Sequence, residues 1–522
     1  MIRRLLVLFK IGRKLAQSEI AEIFEKFHEV PKLIKILFYF LSFSLKKKNE
    51  INFNVEEKER LSNSLQSMGT TFIKLGQFLA TRPDIIGEDL SKQLETLQDK
   101  LPPFPLSEAK NIIKKDLGET MFNSILNISE PVAAASIAQV HKAQINDNGV
   151  IKDVAIKILR PEIKKIFNEE IDALMFFAFL TETFVKKTKR LKLIEVTFLL
   201  KEITNHEMDL RFEAAAANEY AENTKNDVGF KVPNIYWNFT SENVMTLDWV
   251  EGNSIRETEI LQKHNIDTTQ IATDIIQHFL RHAVRDGFFH ADMHQGNIFI
   301  DKSGRIVPID FGIMGRLDKL NKRFLAEILY GFVQRDYKKV AEVHLLAGLV
   351  PKNVPVDELA QALRSIGEPI FGQTVKDISG GKLLKQLFDV TEKFNMQTQP
   401  QLLLLQKTMV VVEGVARKLN PNTNIWETSK PVLENWLQET KDPINSLNDT
   451  LKNTTEVLKR LPEFPEIMDK ANQALSFLAS GQIPQNSNSY NALNEAKTEM
   501  IAFRNQTAIG LLLLVIIGLL VF

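Results

Sequence analysis

Apolar and polar positions follow different periods along this chain, and the changes of period mark its elements. From Val55 to Met68, and again from Leu90 to Leu101, apolar residues recur every three or four positions. That is the spacing of one buried helix face, so both stretches are predicted to be helices. Leu101-Pro102-Pro103-Phe104-Pro105 ends the second one, because prolines remove amide donors and hold their predecessors extended. From Ile137 the character becomes strand-like. IAQVHKAQI and VIKDVAIKIL read as strands, and Asn146-Asp147-Asn148-Gly149 between them supplies residues that accept positive φ. A β-hairpin is expected there.

Helical spacing returns after Arg160-Pro161 and runs from Glu162 to about Tyr220, broken by the basic run Lys186 to Lys192. Asn243 to Val250 reads as one more strand, closed by Glu251-Gly252. Helices are then expected to about Ala479, with a strand–turn–strand exception over Asn297 to Asp310. Residues 480–490 (SGQIPQNSNSY) form a polar linker. These breaks divide the chain into 1–50, a helical extension 51–130, a sheet-bearing lobe 131–252, a helical lobe 253–479, the linker, and a terminal segment 491–522.

A chain of 522 residues with 44% apolar content can build two or three domains around a large core. Its 65 basic and 65 acidic residues cancel, so nothing global points to nucleic acid, and no nucleic-acid partner is expected. The absence of cysteine excludes disulfides, a thiol nucleophile and iron–sulfur ligation, and fits a reducing compartment.

The two ends change the picture. Ala508 to Phe522 (AIGLLLLVIIGLLVF) has no polar side chain, and as a helix would be about 22 Å long. That is short of a hydrocarbon core of roughly 30 Å, yet an all-round apolar helix at a chain end is expected to enter a membrane. The first stretch, MIRRLLVLFKIGRKLAQ, mixes apolar residues with five Arg or Lys and no acid; Leu33 to Leu45 is followed by three lysines. Both stretches suit an anionic membrane surface, with a mitochondrial targeting peptide as the rival for the first.

The candidate chemistry lies between these ends. Val154-Ala155-Ile156-Lys157 sits on the second hairpin strand, where alternation leaves Lys157 to reach over one face. His290-Ala291-Asp292-Met293-His294-Gln295-Gly296-Asn297 is followed by Asp310-Phe311-Gly312. Phosphoryl transfer needs an acceptor for the nucleophile's proton, a role open to Asp292. It also needs hard oxygen ligands for Mg²⁺, which Asn297 and Asp310 offer if the two short strands between them bring them side by side. His290, Asp292 and His294 also form an H-x-D-x-H array, which could instead hold zinc or iron. Ala133 to Val140, AAASIAQV, fits the kinase glycine-loop pattern with Ala133, Ala135 and Ala138 at the glycine positions. By itself it reads equally as a phosphate loop or as an alanine-rich stretch; its place one hairpin before Lys157 favours the loop.

With these residues in view, the chain resembles the UbiB family of atypical protein-kinase-like proteins, tied to ubiquinone biosynthesis. Lys74-Leu75-Gly76-Gln77 matches that family's K-x-G-Q, and Thr81-Arg82-Pro83-Asp84 and Leu97 to Pro103 match the segment after it. Ala133-Ala134-Ala135-Ser136 matches its alanine-rich loop, and Glu207-Met208-Asp209 with Glu213 its acidic run. Many relatives keep glycine where this chain has Ala138.

The resemblance implies an α+β, two-lobed protein-kinase-like fold with a helical N-terminal extension, a mostly helical second lobe and a C-terminal transmembrane segment. It implies that Ala133, Ala134, Ala135, Ser136, Ala138 and Val140 contact nucleotide, that Lys157 contacts phosphates and pairs with Glu213, and that Lys74 reaches Glu207. Lys74, Gln77, Glu207 and Asp209 would then fold the extension across the face where a protein kinase receives its peptide. The implied cofactors are ATP or ADP with Mg²⁺. The implied partners are a lipid bilayer, isoprenoid phenol or quinone precursors and other ubiquinone-biosynthesis proteins. The expected place is a bacterial inner membrane, with a mitochondrial inner membrane as the alternative. An ATPase or atypical kinase is expected; a small-molecule kinase and a nucleotide-sensing scaffold without turnover stay open.

Overall fold

The computed structural model describes residues 57–80, 101–184, 192–264, 266–372 and 400–441, with isolated positions at 10, 11, 93, 94, 97, 390, 393, 394 and 396. The linker 480–490, the apolar tail, nearly all of 1–50, and the match at Thr81 to Asp84 lie outside these residues. Two compact units divide the chain, Met1–Trp436 and Leu437–Phe522. The second is described only at 437–441, and the account below concerns the first. Among the described residues no helix is long and apolar enough to cross a membrane.

Helices α1 (Glu57–Met68) and α2 (Thr70–Ala80) come first, and α3 (Leu106–Asn123) leads into a sheet. Its strands are β1 (Ile125–Leu126), β2 (Pro131–Ala134), β3 (Ala138–Asp147), β4 (Val150–Leu159) and, further along the chain, β5 (Val244–Asp248). Between β4 and β5 come α4 (Ile163–Phe184), α5 (Leu193–Glu207) and α6 (Leu210–Thr224). The strand order is β1-β3-β4-β5, with β2 also pairing β3, and every pairing is antiparallel. The predicted hairpin turns at Asn148 and Gly149, both at positive φ (54° and 88°), as the right-handed twist of its strands requires.

Alternation along β4 separates two cores. Val154, Ile156 and Ile158 pack with Ile113 of α3 and Val244 of β5 on one face. Leu159 and Ala155 pack against α4, α5 and α6 on the other, and Lys157 shares their parity. Helix α3 and strand β1, which the sequence reading groups with the extension, therefore pack with the sheet. In the extension, Leu65, Phe72, Ile73 and Leu97 form a further core with Ala173 of α4. Gly76 is needed there: a Cβ would lie 2.7 Å from Leu97 Cδ2 and 2.8 Å from Leu65 Cδ1.

The second lobe holds short strands β6 (Gly252–Ser254), β7 (Phe288–His290), β8 (Ile298–Asp301), β9 (Ile306–Pro308) and β10 (Met314–Arg316). Around them lie helices α7 (Thr258–Lys263), α8 (Thr268–Arg281), α9 (Lys319–Val333), α10 (Tyr337–Leu346), α11 (Val356–Gly372), α12 (Pro400–Leu419) and α13 (Ile425–Lys441). Strands β8 and β9 are the predicted exception. Strands β6, β7 and β10 were not expected: each has three residues, too few to show a period. Gly252–Ser254 pairs with β8, so the chain enters the second lobe at the residues that the sequence reading takes to close the first.

Candidate active site

A row of residues crosses the first sheet. Ala133 of β2 lies opposite Val140 of β3, Val140 opposite Lys157 of β4, and Lys157 opposite Met245 of β5. Ala133 is exposed and Ala134 and Ala135 half-buried, while Ser136 and Ala138 are buried. Residues 135–137 form the turn between β2 and β3.

Helix α6 brings the carboxylate that meets Lys157. Its start is fixed by Asp209, whose side chain accepts the N–H of Arg211 at 3.1 Å and pairs with the guanidinium at 2.6 Å. Leu210, Glu213, Ala214, Ala217 and Tyr220 form its buried face. Glu213 thus faces β4, and Lys157 Nζ donates to its Oε1 at 2.7 Å and Oε2 at 2.9 Å. Lys157 also donates to Asp310 Oδ2 at 3.2 Å.

Asp310 reaches this point through paired strands. Ile309 N donates to Asn297 O at 3.1 Å, which sets the two loop ends side by side as expected. The pairing of β7 with β10 brackets the segments carrying Asp292 and Asp310. Asn297 Nδ2 donates to the backbone oxygen of Asp292 at 3.1 Å and to its Oδ2 at 3.2 Å, leaving Asn297 Oδ1 as an acceptor. Thr408 of α12 supports the same loop by donating to Ala291 O at 3.0 Å.

The charges of this group are interlocked. Burial alone would push Lys157 toward the neutral amine, but Asp310 and Glu213 outweigh it and hold the ammonium above the ordinary lysine range. Burial pushes Glu213 up, with Lys157 opposing. For Asp310 burial works the same way, yet Lys157 and the Gly312 N–H hold its carboxyl well below the ordinary range. Its side chain keeps 45% of its surface open.

His290 is not a metal ligand in this arrangement. Its Nδ1 accepts the Asp292 N–H at 3.1 Å, so its proton sits on Nε2, which donates to Asp310 O. Burial keeps the ring neutral by lowering its pKa. His294 Nε2 stands 3.7 Å from Asp292 Oδ2. Among the described residues, Asp227, His278 and His282 are close enough to share a cation. Both nitrogens of His282 are engaged, however, by Tyr220 Oη at 2.7 Å and Asp227 at 2.9 Å, and Arg285 also pairs with Asp227 at 2.7 Å. This network braces α6 from behind, since Tyr220 also packs edge-on against Phe311. It joins residues 220–227 to residues 278–285, and no short motif announces it.

In the extension, Lys74 of α2 meets Glu207 of α5 at 2.7 Å, with both side chains mostly buried. Gln77 is half-buried on α2. Asp209 is used locally, as the cap of α6.

A family model of the ABC1 atypical kinase-like domain matches residues 96–344, and one of the UbiB helical domain matches 363–424. The probable protein kinase UbiB of Marinobacter nauticus is 36% identical over 448 residues, covering 85% of this chain and 81% of its own. This chain belongs to the UbiB family. Another UbiB relative, the probable protein kinase UbiB of Azotobacter vinelandii, is 37% identical over 409 residues, 77% of this chain and 75% of its own. A solved structure, the Rv3197–erythromycin complex from Mycobacterium tuberculosis, is 23% identical with a TM-score of 0.42, covering 69% of this chain and 94% of that one. The ABC1 match spans the UbiB alanine loop, Lys157, Glu213, Asp292, Asn297 and Asp310, so the fold is kinase-like with mixed helix and sheet.

Proposed function

We propose that this UbiB-family chain binds ATP with Mg²⁺ and turns it over in support of ubiquinone biosynthesis at a bacterial inner membrane, acting on or presenting isoprenoid phenol or quinone precursors. The observation that carries this reading is the convergence of Lys157, Glu213 and Asp310 from three separate segments, beside the Asp292–Asn297 pair. Lys157, kept protonated by two carboxylates, is a fixed cation for nucleotide phosphates. Asp292 is the acceptor for the proton of an attacking water or hydroxyl. Asp310 and Asn297 Oδ1 are hard oxygen donors suited to Mg²⁺. When bound, that ion would neutralise charge on the transferring phosphoryl group.

The membrane part rests on the apolar tail and the basic N-terminal stretches, and partner proteins of the same pathway would meet the chain there. The test is turnover of terminally labelled ATP by the full-length protein, with and without anionic vesicles carrying a polyprenyl phenol. Label released as aqueous phosphate supports an ATPase, and label in the organic extract a small-molecule kinase. Nucleotide bound without any product would sink the catalytic reading.

A further inference from the structure

Around His294 to Gly296, on the loop that carries Asp292, nitrogen donors gather without an acid to pair them. Arg256, two residues past β6, lies against Gly296: a Cβ there would sit 2.7 Å from Arg256 Nη2 and 2.7 Å from His294 Cε1. Glycine at 296 lets the guanidinium approach the His294 ring, because a side chain would fill that space. His294 Nδ1 accepts the Gly296 N–H at 2.9 Å, so its proton sits on Nε2.

Lys418 of α12 reaches the same loop and donates to Gln295 Oε1 at 2.9 Å. Ser254 Oγ donates to Gln295 O at 3.2 Å and accepts the Arg256 N–H at 3.4 Å. Strand β6, the loop and α12 are thus joined at Gln295. Arg256, His294 and Lys418 are exposed, and among the described residues neither Arg256 nor Lys418 has an ion-pair partner. Glu257, next to Arg256 in sequence, is engaged by Asn253 Nδ2 at 3.2 Å. Other cations of this lobe are answered: Lys302 by Glu251, Arg305 by Asp301. The neighbouring Asp292 has its Oδ2 3.2 Å from Asn297 Nδ2 and 3.7 Å from His294 Nε2, which leaves Oδ1 for an incoming hydroxyl.

We propose that Arg256, His294 and Lys418 form a binding site for the oxyanion, carboxylate or phosphate, of a small hydroxylated substrate whose hydroxyl meets Asp292. This rests on Asp292 being the proton acceptor, as in the reading above. Lys157 cannot serve this end of the substrate, since Glu213 and Asp310 hold it. Arg256 offers a planar fork for two oxygens, Lys418 a point charge and His294 an N–H donor. The acid group orients the substrate and the hydroxyl is presented to Asp292. A neutral analogue loses the first of these.

Titration calorimetry on the full-length protein, with Mg²⁺ and saturating ADP to fill the nucleotide site, tests this. The probes are 4-hydroxybenzoate, its neutral counterpart 4-hydroxybenzamide, and glycerol 3-phosphate. Wild type is expected to bind at least one acid, and which one names the oxyanion. Arg256→Gln should weaken that acid by about tenfold, the worth of a charge-assisted bond. Arg256→Lys, which keeps the charge and loses the fork, should fall between the two. Lys418→Met should weaken the acid in the same direction, which keeps the test usable if Arg256→Gln folds poorly. The amide should bind weakly and equally to every protein, and ADP affinity should be unchanged. No acid bound by a wild type that binds ADP, or equal acid binding in every variant, overturns this inference alone. Parallel loss of ADP affinity in Arg256→Gln also overturns it, by placing Arg256 with the nucleotide. A wild type that binds neither acid nor ADP overturns it together with the nucleotide reading.

Discussion

Lys157 Nζ lies 2.7 Å from Glu213 Oε1 and 3.2 Å from Asp310 Oδ2, although these partners stand 56 and 153 positions further along the chain. One cation thus joins the sheet, helix α6 and the segment after β9. Lys157→Met would leave two carboxylates facing each other without it. Nucleotide affinity is expected to fall about tenfold or more, the worth of a charge-assisted contact. Stability should drop by on the order of 3 kcal/mol, as when one member of a buried ion pair is removed. Titration calorimetry and denaturant melts would show both; unchanged affinity would mean that Lys157 is only a structural cation.

Asp292 is assigned the proton, not the nucleotide. Asp292→Asn should therefore lower turnover by roughly 100-fold or more, the usual contribution of a positioned base, while nucleotide affinity is retained. Single-turnover kinetics beside equilibrium binding would separate the two. A parallel loss of both would reassign Asp292 to binding.

Lys74 and Glu207 hold the extension to α5 at 2.7 Å in a largely buried setting. Either single charge reversal, Lys74→Glu or Glu207→Lys, should expose α2 to proteolysis. The double reversal should recover part of the loss, with a coupling of about 1 kcal/mol. Independent, additive effects would remove this pair from the docking of the extension.

Acid should destabilise the fold before carboxylates titrate in bulk. Burial pushes His278 down to about 3, and lowers His282, His290 and His344 in the same direction. In the unfolded chain these rings titrate near 6.5 and so take up protons that the folded chain refuses. Their contribution is therefore complete above about pH 6.5 and is lost as pH falls toward about 3. Melting temperatures from pH 7.5 to 4.5 should fall steadily, and His278→Asn should flatten that slope. A slope unchanged by the substitution would contradict the assignment.

Much of this arrangement was legible in the sequence because it is local. Alternation along Val154 to Leu159 places Lys157 with the parity of Ala155 and Leu159, and Asn146 to Gly149 specifies its own turn. The spacing of Asn297 and Asp310 across two short strands anticipates their pairing. What stayed hidden is non-local or carried by backbone. Arg160 reads only as the residue before a proline, since the carbonyls of Ala135 and Pro102 that it binds have no side-chain signature. Tyr220 and Asp227, at and just past the end of α6, meet His282 only through tertiary packing. The reach of Asp310 to Lys157, between lobes, follows no period. The expected helix at Leu90 to Leu101 is described at four positions, of which 93 and 94 are helical and 97 and 101 are not.

Mg²⁺-dependent ATP turnover by the full-length protein in anionic vesicles, wild type beside Asp310→Asn, bears most directly on the proposed chemistry. Asp310 contacts Lys157 and is the carboxylate suited to the metal, so its conversion to an amide should reduce phosphate release to near background while the protein remains folded. Equal phosphate release by wild type and Asp310→Asn would contradict the assignment of catalysis to this site.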